Sequence, residues 1–108
     1  MSRGSPALTA ARKEEIIEAC ARLYETMSFK EITIKEIGTA TSFTRTSIYN
    51  YFETKEEIFL ALLQREYELW VDAMNAVMAE KVSMTRDELA RTLARTLTDR
   101  PRLLRLLS

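Results

Sequence analysis

Side chains that can hydrogen-bond to nucleic acid are concentrated in one stretch of the 108-residue chain, TSFTRTSIYNYFETKEE at residues 41–57. The Arg45 guanidinium matches the O6 and N7 atoms of guanine, and the Asn50 carboxamide matches the N6 and N7 atoms of adenine. Hydroxyls of threonine, serine and tyrosine commonly bond phosphate oxygens, which fixes orientation on a duplex without reading its sequence. Four aromatic rings are interleaved with these polar groups: Phe43, Tyr49, Tyr51 and Phe52. Such a mixture predicts an element that packs on one side and presents polar groups on the other.

The element that precedes this stretch is predicted to be a short helix. Thr33 followed three residues later by Glu36 is a capping box, in which each side chain accepts a hydrogen bond from the other residue's backbone N–H. The helix is expected to run over residues 34–40 and to break near residues 41–43.

A second short helix is predicted from Thr44 or Arg45 to Tyr51. Ile48 and Phe52, four residues apart, are expected to face the core, which leaves the other side chains of this helix outside. Two short helices joined by about three residues have the layout of a helix-turn-helix, in which the second helix enters the major groove of DNA.

A long helix is predicted after this pair. Thr54 and Glu57 repeat the capping box, and no Pro or Gly interrupts residues 55–80. Lys55 at the first helical position adds a positive charge to the free N–H groups of the helix end, which favours a phosphate there. Equivalent phosphate contacts are predicted at the start of the preceding short helix, from Thr33 and Lys35.

Residues 1–8 are predicted to be a flexible arm, in which Arg3 either reaches a minor groove or is simply solvated. From Thr9, apolar residues at helical spacing predict a first helix that buries one stripe: Ile16, Cys20, Leu23, Tyr24 and Met27. Cys20 lies in that stripe and is predicted to be a small buried hydrophobe rather than a reactive thiol. Phe29 follows as a predicted core anchor.

Two further helices are predicted near the C-terminus. Thr85 and Glu88 form a third capping box, and Asp99 and Pro101 predict the cap and first turn of a last helix. One face of the helix after the third box is predicted to carry three leucines: Leu89, Leu93 and Leu97. Since no period-two strand pattern occurs, the sequence predicts an all-α fold.

Composition argues against several classes of function. The chain has sixteen basic and sixteen acidic residues, no His and one Cys. It offers neither metal-ligand spacing nor a nucleophile–base pair, so no enzyme, metal or cofactor is expected. A single Cys, with no signal peptide and no membrane span, predicts a cytoplasmic location. Zero net charge argues mildly against a strongly basic nucleic-acid binder, although residues 81–108 carry seven basic and three acidic residues.

From residue 9 to about residue 60, the sequence resembles the DNA-binding domain of the tetracycline-repressor-like (TetR) family of bacterial transcription regulators. The most specific part is SIYNYF at residues 47–52, followed by TKEEI at residues 54–58. It is similar to the family's pattern of Thr or Ser, an aliphatic residue, Tyr, any residue, Tyr or His, and Phe, with a Lys-Glu pair opening the fourth helix. ITIKEI at residues 32–37 resembles the entry to the family's second helix.

The resemblance implies a homeodomain-like helix-turn-helix domain of three helices, joined by a long fourth helix to the first helices of an α-helical second domain. The chain accordingly divides into an arm, a helix-turn-helix domain, a connecting helix and the beginning of a ligand-binding and dimerisation domain: residues 1–8, 9–54, 55–80 and 81–108. Family members dimerise near their C-termini, so a homodimer is expected to form through helices absent from this chain.

The implied function is that of a sequence-specific DNA-binding regulator, a repressor that a small-molecule effector releases from a palindromic operator. The resemblance assigns base contacts to Arg45, Thr46, Ser47 and Asn50. It assigns phosphate contacts to Thr33, Thr44, Tyr49 and Lys55. Tyr51 is expected either to pack beneath the recognition helix or to contact the DNA backbone. The long helix is expected to transmit effector binding through its tilt.

Three positions depart from the family pattern. The chain has Ser28 and Ser42 where the family often has Gly, at the end of the first helix and in the turn between the short helices. If either position needs a left-handed backbone, Ser costs roughly 1 kcal/mol more than Gly. Gly38 replaces the family's Ala early in the second helix and weakens that helix by up to about 1 kcal/mol.

Other interpretations stay open from the sequence. A helical protein-interaction module without DNA binding is the alternative function, favoured by the zero net charge and the leucine-rich C-terminal end. Four side chains on the later helices either line a ligand pocket or fill an ordinary core: Trp70, Met74, Met78 and Met84. The arginines of residues 86–105 either bind an anion or form a solvated helix face.

Overall fold

The computed structural model describes residues 6–43, 45–81 and 83–108. Every regular element in these residues is a helix, which confirms the all-α prediction. The helices follow in chain order as α1 Pro6–Tyr24, α2 Ile34–Thr39, α3 Arg45–Ile48, α4 Lys55–Ala79, α5 Arg86–Thr98 and α6 Pro101–Leu107. None of these described helices is long and apolar enough to cross a membrane.

The chain divides by its contacts into two compact units, residues 1–62 and residues 63–108. The boundary lies inside α4, so this helix gives its first part to one unit and the rest to the other. The segment predicted as a connecting helix, residues 55–80, therefore has residues in both units.

The first helix begins earlier than its periodicity predicts. It starts at Pro6, so residues 6–8, which were predicted to belong to the flexible arm, are helical. Pro suits a first helical position because its φ is already helical and it has no N–H that would lack a partner. Residues 1–5, with the predicted role of Arg3, lie outside the described residues.

The core of the first unit is built from one face of each helix. The α1 stripe is buried as predicted at Ile16, Cys20 and Tyr24, whereas Leu23 and Met27 are only half-buried. Other helices and turns add the remaining fully buried side chains: Ile32, Ile37, Ile48, Ile58 and Leu62. Cys20 is completely buried in this core, as expected for a small hydrophobe.

A cluster of three rings closes one end of this core. Phe59 is buried and meets Tyr24 and Phe29 edge to face, with ring centroids 5.3 Å and 4.8 Å away. Phe29 itself is 38% exposed. The prediction of Phe29 as a core anchor is therefore wrong in its burial, because the ring lies on the outside of the cluster and covers Phe59.

Helix starts follow the predicted capping boxes in two cases of three. Thr33 with Glu36, and Thr85 with Glu88, make both reciprocal hydrogen bonds. At α4 the Thr54 hydroxyl accepts from the Glu57 N–H, but the Glu57 carboxylate accepts from the Glu53 N–H instead of from Thr54. The hydrogen bond to the Glu57 carboxylate therefore comes from the residue before the predicted cap.

The capping carboxylate of α5 is held in its charged form. The Thr85 backbone N–H donates to Glu88, and with the Thr85 hydroxyl and the nearby Lys81 ammonium it lowers the pKa of Glu88. The Lys81 Nζ lies 3.6 Å from Glu88 Oε2. Lys81 thus connects the residues before α5 to its first turn.

In the second unit, the buried residues of α5 are two threonines, while the three leucines predicted to share one face are exposed or half-buried. Thr92 and Thr96 are buried, while Leu89 is exposed. Their hydroxyls donate to the carbonyl oxygens of Glu88 and Thr92, four residues earlier, both at 2.8 Å. Because these hydroxyls are satisfied within the helix, Thr can be buried without losing a hydrogen bond, and its small size permits close packing.

Two of the candidate pocket residues contact the same hydroxyl of α5. The Trp70 Nε1–H donates to Thr96 Oγ1 at 2.9 Å, and Met74 Sδ lies 3.1 Å from the same hydroxyl. Trp70 is half-buried and Met74 is buried, whereas Met78 is exposed. Trp70 and Met74 therefore belong to the packing between α4 and α5.

The last helix is connected to α4 by an ion pair. Arg102 Nη1 lies 3.4 Å from the Oε2 of Glu66, a carboxylate on α4 that is only 5% exposed. Leu103 beside it is fully buried. The predicted cap at Asp99 is wrong: Asp99 ends α5, and Arg100 precedes Pro101 at the start of α6 without a side-chain capping bond.

We expect Gly38→Ala to stabilise the protein by up to about 1 kcal/mol, because Gly is the weakest helix former apart from Pro. A Cβ at this position would lie 3.4 Å from the Arg45 nitrogen and 3.6 Å from Ile48 Cδ1, which is ordinary contact. The free energy of unfolding in urea measures the change.

Gly38→Val is the matched control, since its two further methyl groups must enter the same space beside α3. It should destabilise by about 1–3 kcal/mol through overpacking. A loss of stability on Gly38→Ala would contradict the fit.

Candidate nucleic-acid interface

The turn that joins the two short helices α2 and α3 is stabilised by two hydrogen bonds of the Thr41 hydroxyl. The Thr41 Oγ1–H donates to the Gly38 carbonyl at 3.0 Å, and the Phe43 N–H donates to Thr41 Oγ1 at 3.0 Å. The turn therefore has fixed hydrogen bonds on both sides of Ser42, and α3 begins directly after it at Arg45.

Two side chains of helix α1 hydrogen-bond to this turn. Both the backbone N–H and the hydroxyl of Ser42 donate to Glu15 Oε2, at 3.1 Å and 3.0 Å. Arg22 Nη2 donates to the Ala40 carbonyl at 3.3 Å. A single carboxylate oxygen thus bonds two groups of Ser42, which gives a serine a direct role at a turn position where the resemblance led us to expect Gly.

Helix α3 presents two different faces. Ile48 and Phe52 are buried, as predicted. The side chains on the opposite side are exposed: Arg45, Thr46, Tyr49 and Asn50. These four positions pair as i and i+4, so they share one face of the helical turn.

The regular helix is shorter than the predicted one, since it ends at Ile48 instead of Tyr51. The turns continue beyond it, because the N–H groups of Asn50 and Tyr51 bond the carbonyls three residues earlier. This tightening is common in the last turn of a helix. Ser47, predicted to face DNA bases, is only half-buried and lies nearer the core side than its exposed neighbours.

Tyr51 packs under the turn. Its ring is 6.2 Å from the Phe43 ring, tilted by 42°, and both residues are half-buried. The Arg12 guanidinium lies over the Phe43 ring, 5.4 Å from its centroid. This packing agrees with one of the two expectations for Tyr51, and a contact with the DNA backbone stays a prediction.

Lys55 is bound within the protein. Its Nζ donates to the carbonyls of Phe29 and Ile32, at 2.6 Å and 2.9 Å, and lies 4.2 Å from the Phe29 ring centroid. Two of the three ammonium N–H groups are therefore used. Lys55 therefore ties the start of α4 to the loop between α1 and α2, and its predicted phosphate contact stays a prediction.

The other predicted phosphate contacts differ in how free they are. The Thr33 hydroxyl accepts from the Glu36 N–H at 3.2 Å and lies 3.0 Å from Glu36 Oε1, so it is engaged in the cap of α2. Lys35 and Tyr49 are exposed. Thr44 lies outside the described residues.

Two family models match adjoining parts of the sequence. The first, described as bacterial regulatory proteins of the tetR family, matches residues 16–62. The second, described as a tetracyclin repressor-like C-terminal domain, matches residues 64–108. The chain belongs to the tetR family. A search of curated proteins found no match.

Membership of the tetR family makes the protein a DNA-binding transcriptional regulator. It also makes the α2–turn–α3 segment a helix-turn-helix, as the sequence predicts. Among the described residues, no group of three or more His, Cys, Asp or Glu side chains is placed to hold a metal ion.

Sequence reasoning missed several groups that hold this tetR-family domain together. Ser28 and Glu31 cap each other across the turn after α1, where the Ser28 N–H donates to Glu31 Oε1 at 2.8 Å and lowers the pKa of Glu31. Their three-residue spacing is that of the recognised capping boxes, so a signal was present. The Glu15–Ser42 contact spans 27 residues and leaves no mark in the local pattern.

We expect Lys55→Met to lower the free energy of unfolding by roughly 1–3 kcal/mol, because the Phe29 and Ile32 carbonyls then lose a charged donor. Urea denaturation without DNA measures the loss. Met keeps the aliphatic stem and a similar helix propensity.

The control is Lys35→Met, an exposed lysine whose loss should change stability by no more than about 0.5 kcal/mol. Equal losses in the two variants would show that Lys55 does not bind the loop.

The Glu15–Ser42 contact yields a second stability prediction. Glu15→Ala should cost about 1 kcal/mol, and a double-mutant cycle with Ser42→Ala should show a coupling of roughly 0.5–1 kcal/mol, because the pair shares a hydrogen bond. The free energies come from urea denaturation of the four proteins.

Glu14→Ala is the matched control, since it removes the same charge from the neighbouring exposed position of α1. It should change stability by no more than about 0.5 kcal/mol. A coupling of zero, or equal effects at Glu14 and Glu15, would contradict the role of the carboxylate at the turn.

Proposed function

We propose that the protein represses transcription by binding as a homodimer to a pseudo-palindromic operator, and that a small-molecule effector releases it. The observation that carries the proposal is the division of α3 into a buried face and an exposed polar face. Burial of Ile48 and Phe52 fixes which way the exposed face points. An element with this arrangement can enter a major groove without disturbing its own core.

On the exposed face, Arg45 and Thr46 are the proposed base-reading side chains. The Arg45 guanidinium can donate two parallel hydrogen bonds to guanine O6 and N7, a pairing worth about 1–3 kcal/mol of discrimination. Thr46 can bond a base edge or contact a thymine methyl group. Ser47, half-buried, is a secondary candidate at the edge of this surface.

Contacts to the DNA backbone are proposed for Tyr49 directly after α3 and for groups at the starts of α2 and α4. Tyr49 and Lys35 can reach phosphates with a phenol and an ammonium. Lys55 has one ammonium N–H that does not bond the loop carbonyls and can donate to a phosphate. Thr33, at the start of α2, can also contact a phosphate. Thr44 stays a prediction from the family pattern.

Effector release is proposed to act through α4. This helix contributes residues to both compact units, and its Lys55 grips the loop that leads into α2. A shift of its N-terminus would therefore move the carbonyls of Phe29 and Ile32 with it. A coupling of this kind requires different contacts in the bound and free states and typically amounts to 1–3 kcal/mol.

Selection of duplexes from a random pool tests the operator proposal. We expect enrichment of a pseudo-palindrome with half-sites about one helical turn apart, because a two-fold dimer places its two recognition helices at that spacing. Affinity should fall steeply as salt rises. Enrichment of no duplex by the intact protein would overturn the proposal.

Substitutions on α3 separate base reading from backbone contact. Arg45→Ala should relax preference at one base position by roughly 1–3 kcal/mol, whereas Tyr49→Phe should weaken binding to all sites by a similar factor. Binding to a panel of single-base operator variants measures both effects. If Arg45→Ala weakened every variant equally, Arg45 would contact the backbone and not a base.

A further inference from the structure

A cleft of about 400 Å³ lies between the start of α1 and the residues that follow α3. Two of its lining residues, Thr9 and Lys13, come from the first turns of α1. The other two, Asn50 and Tyr51, lie in the turn after α3. These side chains bring a hydroxyl, an ammonium, a carboxamide and a phenol to one place. Each of them can donate a hydrogen bond to an anion.

The charge of the cleft is positive. Lys13 is exposed, and it forms no ion pair with any residue that the structure describes. No carboxylate is found among the described residues that line the cleft. The charge of the Lys13 ammonium is therefore available to a ligand. Lys55 differs, because its ammonium bonds two backbone carbonyls of the protein.

The Lys13 side chain is directed toward the recognition element. Its Nζ lies 5.8 Å from the centroid of the Phe52 ring. Phe52 is buried and fixed, and a lysine over a ring at this distance is only weakly held. An anion in the cleft could therefore bind the ammonium at little cost while Lys13 stays beside the end of α3.

We propose that this cleft binds a phosphate of the DNA backbone next to the base pairs that α3 reads. The inference rests on the proposed operator binding. One ammonium with neutral donors around it suits the single charge of a phosphodiester. Asn50 adjoins the exposed Tyr49 in the chain, so the cleft continues the surface that faces DNA.

The proposal changes the role of Asn50. The sequence predicts that its carboxamide reads adenine, whereas the cleft assigns it to the backbone beside Lys13. The residues that read bases are then concentrated at the start of α3, at Arg45 and Thr46. Helix α1, for which the sequence predicts only a packing role, then becomes part of the DNA interface.

Salt titrations of operator affinity with the intact protein test the cleft. Lys13→Gln should weaken binding roughly three- to tenfold at about 0.1 M salt. It should reduce the slope of log affinity against log salt by about 1.8, because a homodimer loses two phosphate contacts and each is worth about 0.9. Lys13→Arg should restore the slope. Lys30→Gln removes the same charge from another exposed lysine and should leave the slope unchanged.

Neutral methylphosphonates placed singly along each operator half-site locate the contact. Wild-type protein should lose affinity at one position per half-site where Lys13→Gln shows no further loss. Asn50→Ala should weaken all single-base operator variants by the same factor. Thermal unfolding confirms that the exposed substitutions leave the fold intact.

Several outcomes overturn the proposal. They are an unchanged salt slope in Lys13→Gln, an equal change in Lys30→Gln, or relaxed preference at one base position in Asn50→Ala. If Lys13→Gln alters binding of inorganic phosphate but not the salt slope, the cleft holds a free anion and not DNA. Wild-type protein that enriches no duplex would instead overturn the operator proposal itself.

Discussion

A helix of four residues has no stability of its own, because the first hydrogen-bonded turn costs more than it returns. The existence and direction of α3 therefore come from what surrounds it. Ile48 and Phe52 insert into the core of the first unit, and the preceding turn is bonded through Thr41 and Ser42. Only with these contacts in place can its other face be left to solvent and to DNA.

Polar groups do much of this positioning, and they include groups whose types suggest DNA contacts. The Thr33 hydroxyl caps α2, the Lys55 ammonium bonds two loop carbonyls, and the Tyr51 ring packs on Phe43. Hydrogen bonding to protein and to phosphate uses the same donors. Residue types that suit DNA therefore predict where the interface lies more reliably than they predict which individual side chain contacts DNA.

The helices themselves were largely predictable because their signals are local. Capping boxes at Thr33 and Thr85 and the apolar stripe around Cys20 depend on residues within one or two turns of each other. The buried face of α5 was not predictable in the same way, because Thr92 and Thr96 become suitable for burial only when their hydroxyls bond within the helix.

In the candidate site, too, some features follow from local sequence signals and others from packing between distant segments. The inward positions of α3 follow from the four-residue spacing of Ile48 and Phe52, which any helical pattern reveals. The carboxylate of Glu15 at the turn and the ammonium of Lys13 beside Asn50 follow from packing between segments far apart in sequence. No periodicity encodes those distances, so only the folded chain displays them.

The hydrogen bond from Trp70 to Thr96 has a practical consequence. Trp70 is the single tryptophan of the chain, and it lies in the second unit, while the aromatic residues of the first unit are Tyr and Phe. Its indole emission therefore reports on the surroundings of Trp70 in the second unit, which include the Thr96 hydroxyl and the Tyr67 ring. A change in the spectrum on adding a small molecule would be an optical signal from the second unit, recorded without labelling and without DNA in the sample.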